Sequence, residues 1–200
     1  MMPPYHGALL KGNNDQIYEQ FNDISKVRIP IMIQDAPLSG IELTVPLLTK
    51  MIDEIENLTC FKIESANAAS KIRALIKNCK SKLDAPFDGE ESITLFADLE
   101  AGISGSMSSA LLPEKIAPVI AHFMNNEKQK AEEIYNHILP LINFENRQCG
   151  FRGTKTIMKE GGVIKSDFCR DPIKPLDIDT KNLLINFAKK YDLLTFKWGK

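Results

Sequence analysis

The sequence lacks the patterns that mark a metal, a nucleotide or a membrane. Its 200 residues hold only four cysteines, Cys60, Cys79, Cys149 and Cys169, and none forms a CxxC pair. Such wide spacing reads as reduced thiols in a cytoplasmic protein, not as a disulfide framework or a thiolate metal site. The three histidines, His6, His122 and His137, are scattered without metal-ligand spacing, so no metal is expected. No GxGxxG follows a strand and no P-loop occurs, which leaves nucleotide binding without support. A formal net charge of -1 offers neither the basic surface that a nucleic acid requires nor the cationic patch of a membrane-surface protein. The basic run "KNCKSK" at 77–82 reads as the solvated end of a helix, where cations suit the dipole. No apolar run approaches the ~20 residues of a membrane span. The opening "MMPPYHGALL" has no basic region followed by an apolar core and does not read as a signal peptide.

What is present is an ordinary globular composition arranged as alternating elements. "NNDQIYEQFNDISKV" is helical, with Ile17, Phe21 and Ile24 on one stripe and Asn13 or Asn14 as cap. "IMIQ" is a short apolar strand ended by Asp35 and Pro37. "TVPLLTKMIDEIENL" is a helix with Thr44 as N-cap and Pro46 in its first turn. "CFKIE" is the next strand and "ANAASKIRALIKNCK" the next helix. "LDAPF" is a weak strand, "GEESITLFADLEAG" a helix closed by Gly102, and "ISGSMSSALL" a strand rich in small residues. "LPEKIAPVIAHFMNN" is a helix. From about Glu127 onward only helices are expected, over "EKQKAEEIYNHILPLINFENRQCG", "FRGTKTIMKEGG" and "DIDTKNLLINFAKKYDLL", with Gly161 or Gly162 as a stop. Strands alternating with helices predict βαβ units and a parallel sheet. The expected organisation is a β/α part over 1–126 and a helical region over 127–200. So few strands cannot close a barrel, which leaves an open α/β sheet with a helical tail or a barrel lacking its beginning.

The stretch "NLTCFKIESANAA" at 57–69 poses the chemical question. Lys62 sits among apolar residues in what reads as a buried strand, although stripping water from an ammonium is costly. Burial favours the neutral amine of a lysine, and the neutral amine is a nucleophile. The alternative is a strand-edge lysine that snorkels to water. Period-two alternation puts Cys60, Lys62 and Glu64 on one face and Phe61 and Ile63 on the other. Lys62 and Glu64 are then either a plain ion pair or a Schiff-base nucleophile beside its proton carrier. Gln34 and Asp35 fall at a strand's C-terminal end, where parallel α/β sheets keep their chemistry. Tyr5 and His6, in "PPYH", occupy the same kind of position. A packed ring for Tyr5 and loop polarity for His6 and Gln34 are the competing readings.

Taken together, these stretches resemble the dihydrodipicolinate synthase / N-acetylneuraminate lyase family of Schiff-base lyases, over residues 2–198. "PPYH" resembles the family's "PYY" strand end, "IPIMIQDAP" its "LPVILYNVP" strand, "FKIE" its "IKE" lysine, "PFDGEE" its "SGDD" loop and "GISGSMSSA" its "GVISVTAN" strand. "QDAP", "FKIE", "DGEE", "NRQ" and "KEGGVI" are most similar to the 2-keto-3-deoxy-L-arabonate dehydratase branch. The resemblance implies a (β/α)8 barrel, incomplete here and covering about strands 4 to 8, followed by a helical extension.

By the same resemblance Lys62 is the Schiff-base lysine, with Glu64 and Tyr5 as catalytic partners. His6, Gln34, Ser39, Met107 and Ser108 line the substrate pocket. His6 and Gln34 stand where the synthase has two relay tyrosines, which argues against the synthase itself. Ser39 falls near the position of an arginine in a loop one residue longer, and Met107 and Ser108 match the last barrel strand. Nothing here matches the family's "GTTGE" loop, so the N-terminal third is expected to lie outside this chain. The implied function is a cofactor-free dehydration of a 2-keto-3-deoxy sugar acid to 2,5-dioxopentanoate, in a cytoplasmic homo-oligomer, a tetramer by resemblance. A pyruvate-releasing aldolase, a synthase-like enzyme and a non-catalytic remnant are the alternatives.

Overall fold

The structure, a computed structural model, describes residues 1–3, 11–36, 40–84 and 86–198. The chain forms two compact units. The first comprises Met1–Glu90 with Thr94–Met107, and the second Glu91–Ile93 with Ser108–Lys200.

The first unit is built on four parallel strands, β1 (Ile31–Asp35), β2 (Leu58–Ile63), β3 (Phe87–Asp88) and β4 (Gly105–Ser106), hydrogen-bonded in chain order. Helices α1 (Asn14–Ser25), α2 (Val45–Glu54), α3 (Ala68–Cys79) and α4 (Leu95–Ala101) complete it. The expected caps form. Asn13 and Gln16 make a reciprocal capping box at α1, with distances of 2.9 and 3.0 Å, and the Thr44 hydroxyl accepts from Leu47 N at α2. Alternation then sorts the strand residues. Ile33, Phe61 and Ile63 are fully buried, as are Leu48 and Met51 of α2 and Ile72 and Leu75 of α3. Close-packed apolar contact of this kind is the main favourable term holding such a unit together. β1 also carries a neighbour at its outer edge, since Gln34 N donates to the Met1 carbonyl at 2.7 Å.

Three elements differ from expectation. The helix predicted to start at "GEESIT" begins only at Leu95, because Glu91 and Ser92 adopt left-handed φ values of 56° and 67°, which a helix cannot accommodate. Its end is as expected, with Gly102 at φ 102°. The strands read in "LDAPF" and "ISGSMSSALL" contract to two residues each.

The second unit is helical: α5 (Pro113–Met124), α6 (Lys128–Phe144), α7 (Phe151–Glu160), α8 (Ile178–Ala188) and the short α9 (Thr195–Trp198). Its core gathers Val119, Ile138, Leu141, Ile142, Ile157 and Leu184. The Tyr135 hydroxyl donates to the Ile93 carbonyl at 2.5 Å. A wide π-type turn, Glu145–Cys149, joins α6 to α7 and buries the Glu145 carboxyl, which receives the hydroxyls of Ser109, at 2.8 Å, and Thr154. Burial pushes Glu145 above the usual carboxylate range in spite of these donors. Burial and the neighbouring Glu145 push the Cys149 thiol up to about 11. All four cysteines are free thiols. Among the described residues no helix is long and apolar enough to cross a membrane.

One buried acid in the first unit makes the fold pH-sensitive. Asp98 on α4 is fully buried. It accepts from the Thr94 hydroxyl at 2.8 Å, while its Oδ1 has no hydrogen-bond partner among the described residues. Burial, reinforced by the charges of Asp88 and Glu90, raises its pKa from 3.8 to about 6. Because the folded state favours the protonated acid, the stabilisation is full below about pH 4 and is lost as pH rises through 6. We expect Asp98→Asn to flatten that part of the stability curve, removing a difference on the order of 2 kcal/mol. Urea unfolding at pH 4, 5, 6 and 7 measures it. An unchanged slope would contradict the assignment.

Candidate active site

Strand register sets the site before any side chain does. Gln34 pairs with Lys62, Lys62 with Phe87, and Phe87 with Gly105, so these four residues form one level across the sheet. Alternation places them on the face opposite Phe61 and Ile63. The ladder continues past the strand ends: Glu64 N donates to the Asp35 carbonyl, Gly89 N to the Ile63 carbonyl and Met107 N to the Asp88 carbonyl, each at 2.9 Å. Glu64 is thereby held two residues beyond Lys62 on the same face. The Lys62 ammonium lies 2.6 Å from Glu64 Oε1, and the Gln34 amide nitrogen donates to that same oxygen at 2.5 Å. The Lys62 and Glu64 side chains are 16% and 17% exposed, which leaves them reachable by a small molecule yet largely stripped of water. An amine and a carboxylate so placed can pass a proton between themselves, and the amine can add to a carbonyl.

Two glycines keep this level open. A Cβ on Gly89 would collide with Glu64 Cγ, lie 2.9 Å from Lys62 Cγ and lie 3.0 Å from the Ile63 carbonyl. A Cβ on Gly105 would stand 2.9 Å from the Phe87 ring. The loop after β3 thus closes directly over the Lys62–Glu64 pair because residue 89 has no side chain.

The opposite face carries a second ion pair. Lys71 on α3 lies 2.6 Å from Asp35 Oδ2. Lys71 and the Leu43 backbone N–H both act to hold the Asp35 carboxylate in its charged form. Burial outweighs Lys71 and raises the Asp35 carboxyl above its ordinary range. Asp88, fully buried, accepts from the Ser106 hydroxyl at 2.6 Å and from Glu90 N at 2.8 Å. These acids tie strand ends to each other and to a helix.

Of the residues expected at the site, the structure brings Lys62, Glu64 and Gln34 together. Met107 follows β4 on the same ladder. Ser108 belongs to the second unit, where its hydroxyl donates to the Glu91 carbonyl at 3.0 Å. Tyr5, His6 and Ser39 lie outside the described residues. Sequence reasoning missed Gly89, whose role depends on a loop crossing a neighbouring strand; its only signal was a glycine directly after a strand. Among the described residues no group of three or more His, Cys, Asp or Glu is placed to hold a metal ion.

Comparison with known proteins agrees with this architecture. Residues 1–191 match the model of the dihydrodipicolinate synthetase family. The chain is 43% identical, over 99% of its own length and 64% of the relative's, to an L-2-keto-3-deoxyarabonate dehydratase of Azospirillum brasilense. It is 24% identical over 70% of its length, and 47% of the relative's, to a 4-hydroxy-tetrahydrodipicolinate synthase of Lachnoclostridium phytofermentans. The crystal structure of dihydrodipicolinate synthase from Aquifex aeolicus superposes with a TM-score of 0.86 at 24% identity, covering 96% of this chain and 64% of that one. The fold is therefore part of a (β/α)8 barrel with a helical C-terminal region, and the chain belongs to the dihydrodipicolinate synthetase family. It spans 64% of the length of the dehydratase it matches.

The close approach at Gly89 gives a direct test of the packing. Gly89→Ala is expected to lower stability by about 1–3 kcal/mol, the usual range for an overpacked site, because the Ile63 carbonyl cannot move aside without breaking the ladder. Denaturant unfolding measures it, and a neutral result would contradict the geometry.

Proposed function

We propose that this protein is a Schiff-base lyase acting on a 2-keto-3-deoxy sugar acid, with dehydration of L-2-keto-3-deoxyarabonate as its reaction. The observation that carries the proposal is the Lys62–Glu64 pair, 2.6 Å apart at the C-terminal end of β2. The substrate assignment follows the relative's name. The neutral Lys62 amine adds to the C2 ketone, and the carbinolamine loses water to give an iminium. Glu64 removes a C3 proton, and the C3–H electrons flow into the iminium to form an enamine. The enamine expels the C4 hydroxyl, which leaves with a proton as water. Hydrolysis of the resulting unsaturated iminium returns the amine and consumes one water, so the net change is loss of one water. The allylic alcohol tautomerises to the aldehyde of 2,5-dioxopentanoate. The lysine supplies the electron sink, so the scheme uses no cofactor.

Tyr5 is proposed to assist the proton traffic, and His6, Ser39, Met107 and Ser108 to line the pocket. We propose, by family likeness, that the protein works in the cytoplasm as a homo-oligomer, a tetramer in the simplest case. The same imine would serve an aldolase, which removes the C4 hydroxyl proton and breaks C3–C4; release of pyruvate against loss of water separates the two.

Borohydride reduction in the presence of pyruvate or L-2-keto-3-deoxyarabonate, read by peptide mass spectrometry, tests the proposal. The expected result is a single adduct on the Lys62 peptide that is absent from Lys62→Ala. A protein that turns over substrate with no adduct, or with Lys62→Ala fully active, would overturn it. Glu64→Gln is expected to keep the adduct and to lower kcat by about 10²–10⁴-fold, the usual contribution of a positioned base.

A further inference from the structure

We infer that Gln34 is a positioning residue for catalysis: it holds Glu64 aimed at the substrate after Lys62 has been consumed in the imine. The inference rests on the Schiff-base reading above and assigns Gln34 a role other than the substrate contact expected for it.

Glu64 Oε1 receives both Lys62 Nζ, at 2.6 Å, and Gln34 Nε2, at 2.5 Å. With both donors on Oε1, the carboxylate is oriented and its Oε2 is the oxygen left to take a proton. In the resting pair the lysine supplies up to three N–H donors. Once its nitrogen becomes an iminium, a single N–H remains, and that hydrogen is confined to the plane of the new double bond. The lysine's hold on Glu64 is therefore weakest in the step that needs Glu64 placed. The Gln34 amide does not change through the reaction, and its Nε2 can only donate to the carboxylate.

The backbone makes this hold rigid. Gln34 is the ladder partner of Lys62, and Glu64 N is bonded to the carbonyl of the residue after Gln34, at 2.9 Å. The amide, the amine and the carboxylate thus sit on adjacent strands with fixed offsets. One N–H donor of the Gln34 amide is already committed to Glu64 at 2.5 Å, and that bond is what assigns the residue a positioning role.

The test separates imine formation from proton removal. Gln34→Met keeps side-chain length and removes the donor. Three readouts are taken on the protein and the variant: borohydride trapping with pyruvate, exchange of the pyruvate methyl protons in D2O followed by NMR, and kcat and KM for dehydration. We expect trapping within about twofold of the unsubstituted protein, exchange and kcat both lowered by about 10–100-fold, within the reach of orientation effects, and KM little changed. A purely structural role would lower trapping together with exchange. Unchanged exchange and kcat would overturn the inference, as would a raised KM with kcat intact, which would return Gln34 to substrate binding. If Gln34→Met fails to fold, Gln34→Glu takes its place. Its introduced carboxyl donates only when protonated, so exchange is expected to recover towards low pH and not to recover in the absence of a positioning role. Absence of any adduct on unsubstituted Lys62 would remove the lyase reading itself, whereas an adduct with exchange insensitive to Gln34 removes only this inference.

Discussion

The structure depends on how one short strand divides its two faces. β2 sends Phe61 and Ile63, both fully buried, to one side and Lys62 to the other. An ammonium in such surroundings is costly unless a counter-charge meets it, and Glu64, two residues on, is the residue that alternation delivers to the same face. The ion pair and the apolar packing are thus two consequences of one period-two pattern. A shift of register by one residue would bury the lysine among the apolar side chains and expose the isoleucine. The parallel ladder to β1 and β3 prevents that slip.

Around this strand the acids are separated by face. Asp35, Asp88 and Asp98 are fully buried, and each has different neighbours: Asp35 lies against the Lys71 ammonium, Asp88 accepts from a hydroxyl and a backbone N–H, and Asp98 accepts from the Thr94 hydroxyl. Their work is to connect strand ends and helices. Glu64 is a carboxylate that stays partly exposed beside an amine, and this difference in surroundings, not in residue type, is what its proposed catalytic role rests on.

Much of this was legible in the sequence, and the reasons for the rest are physical. Lys62 and Glu64 could be placed on one face because strand alternation is local, and Asn13, Thr44 and Gly102 could be assigned as caps because capping is decided within three residues. The start of α4 was misjudged because Glu91 and Ser92 hold left-handed conformations that no glycine announces. The contacts of Gln34 with Glu64 and of Lys71 with Asp35 join residues about thirty positions apart, a distance that no local pattern encodes. The collision space at Gly89 is of the same kind. The family motifs pointed to the lysine, while only the three-dimensional arrangement revealed that one carboxylate oxygen serves two donors.

The central claim is that Lys62 forms an imine with a 2-keto acid. The most direct measurement is carbon-13 NMR of the protein with pyruvate labelled at C2, repeated with Lys62→Arg. The account expects the ketone resonance to be replaced in part by a protein-bound imine resonance that is lost in the variant. A ketone signal that stays unchanged at saturating pyruvate, in protein that retains its fold, would contradict it.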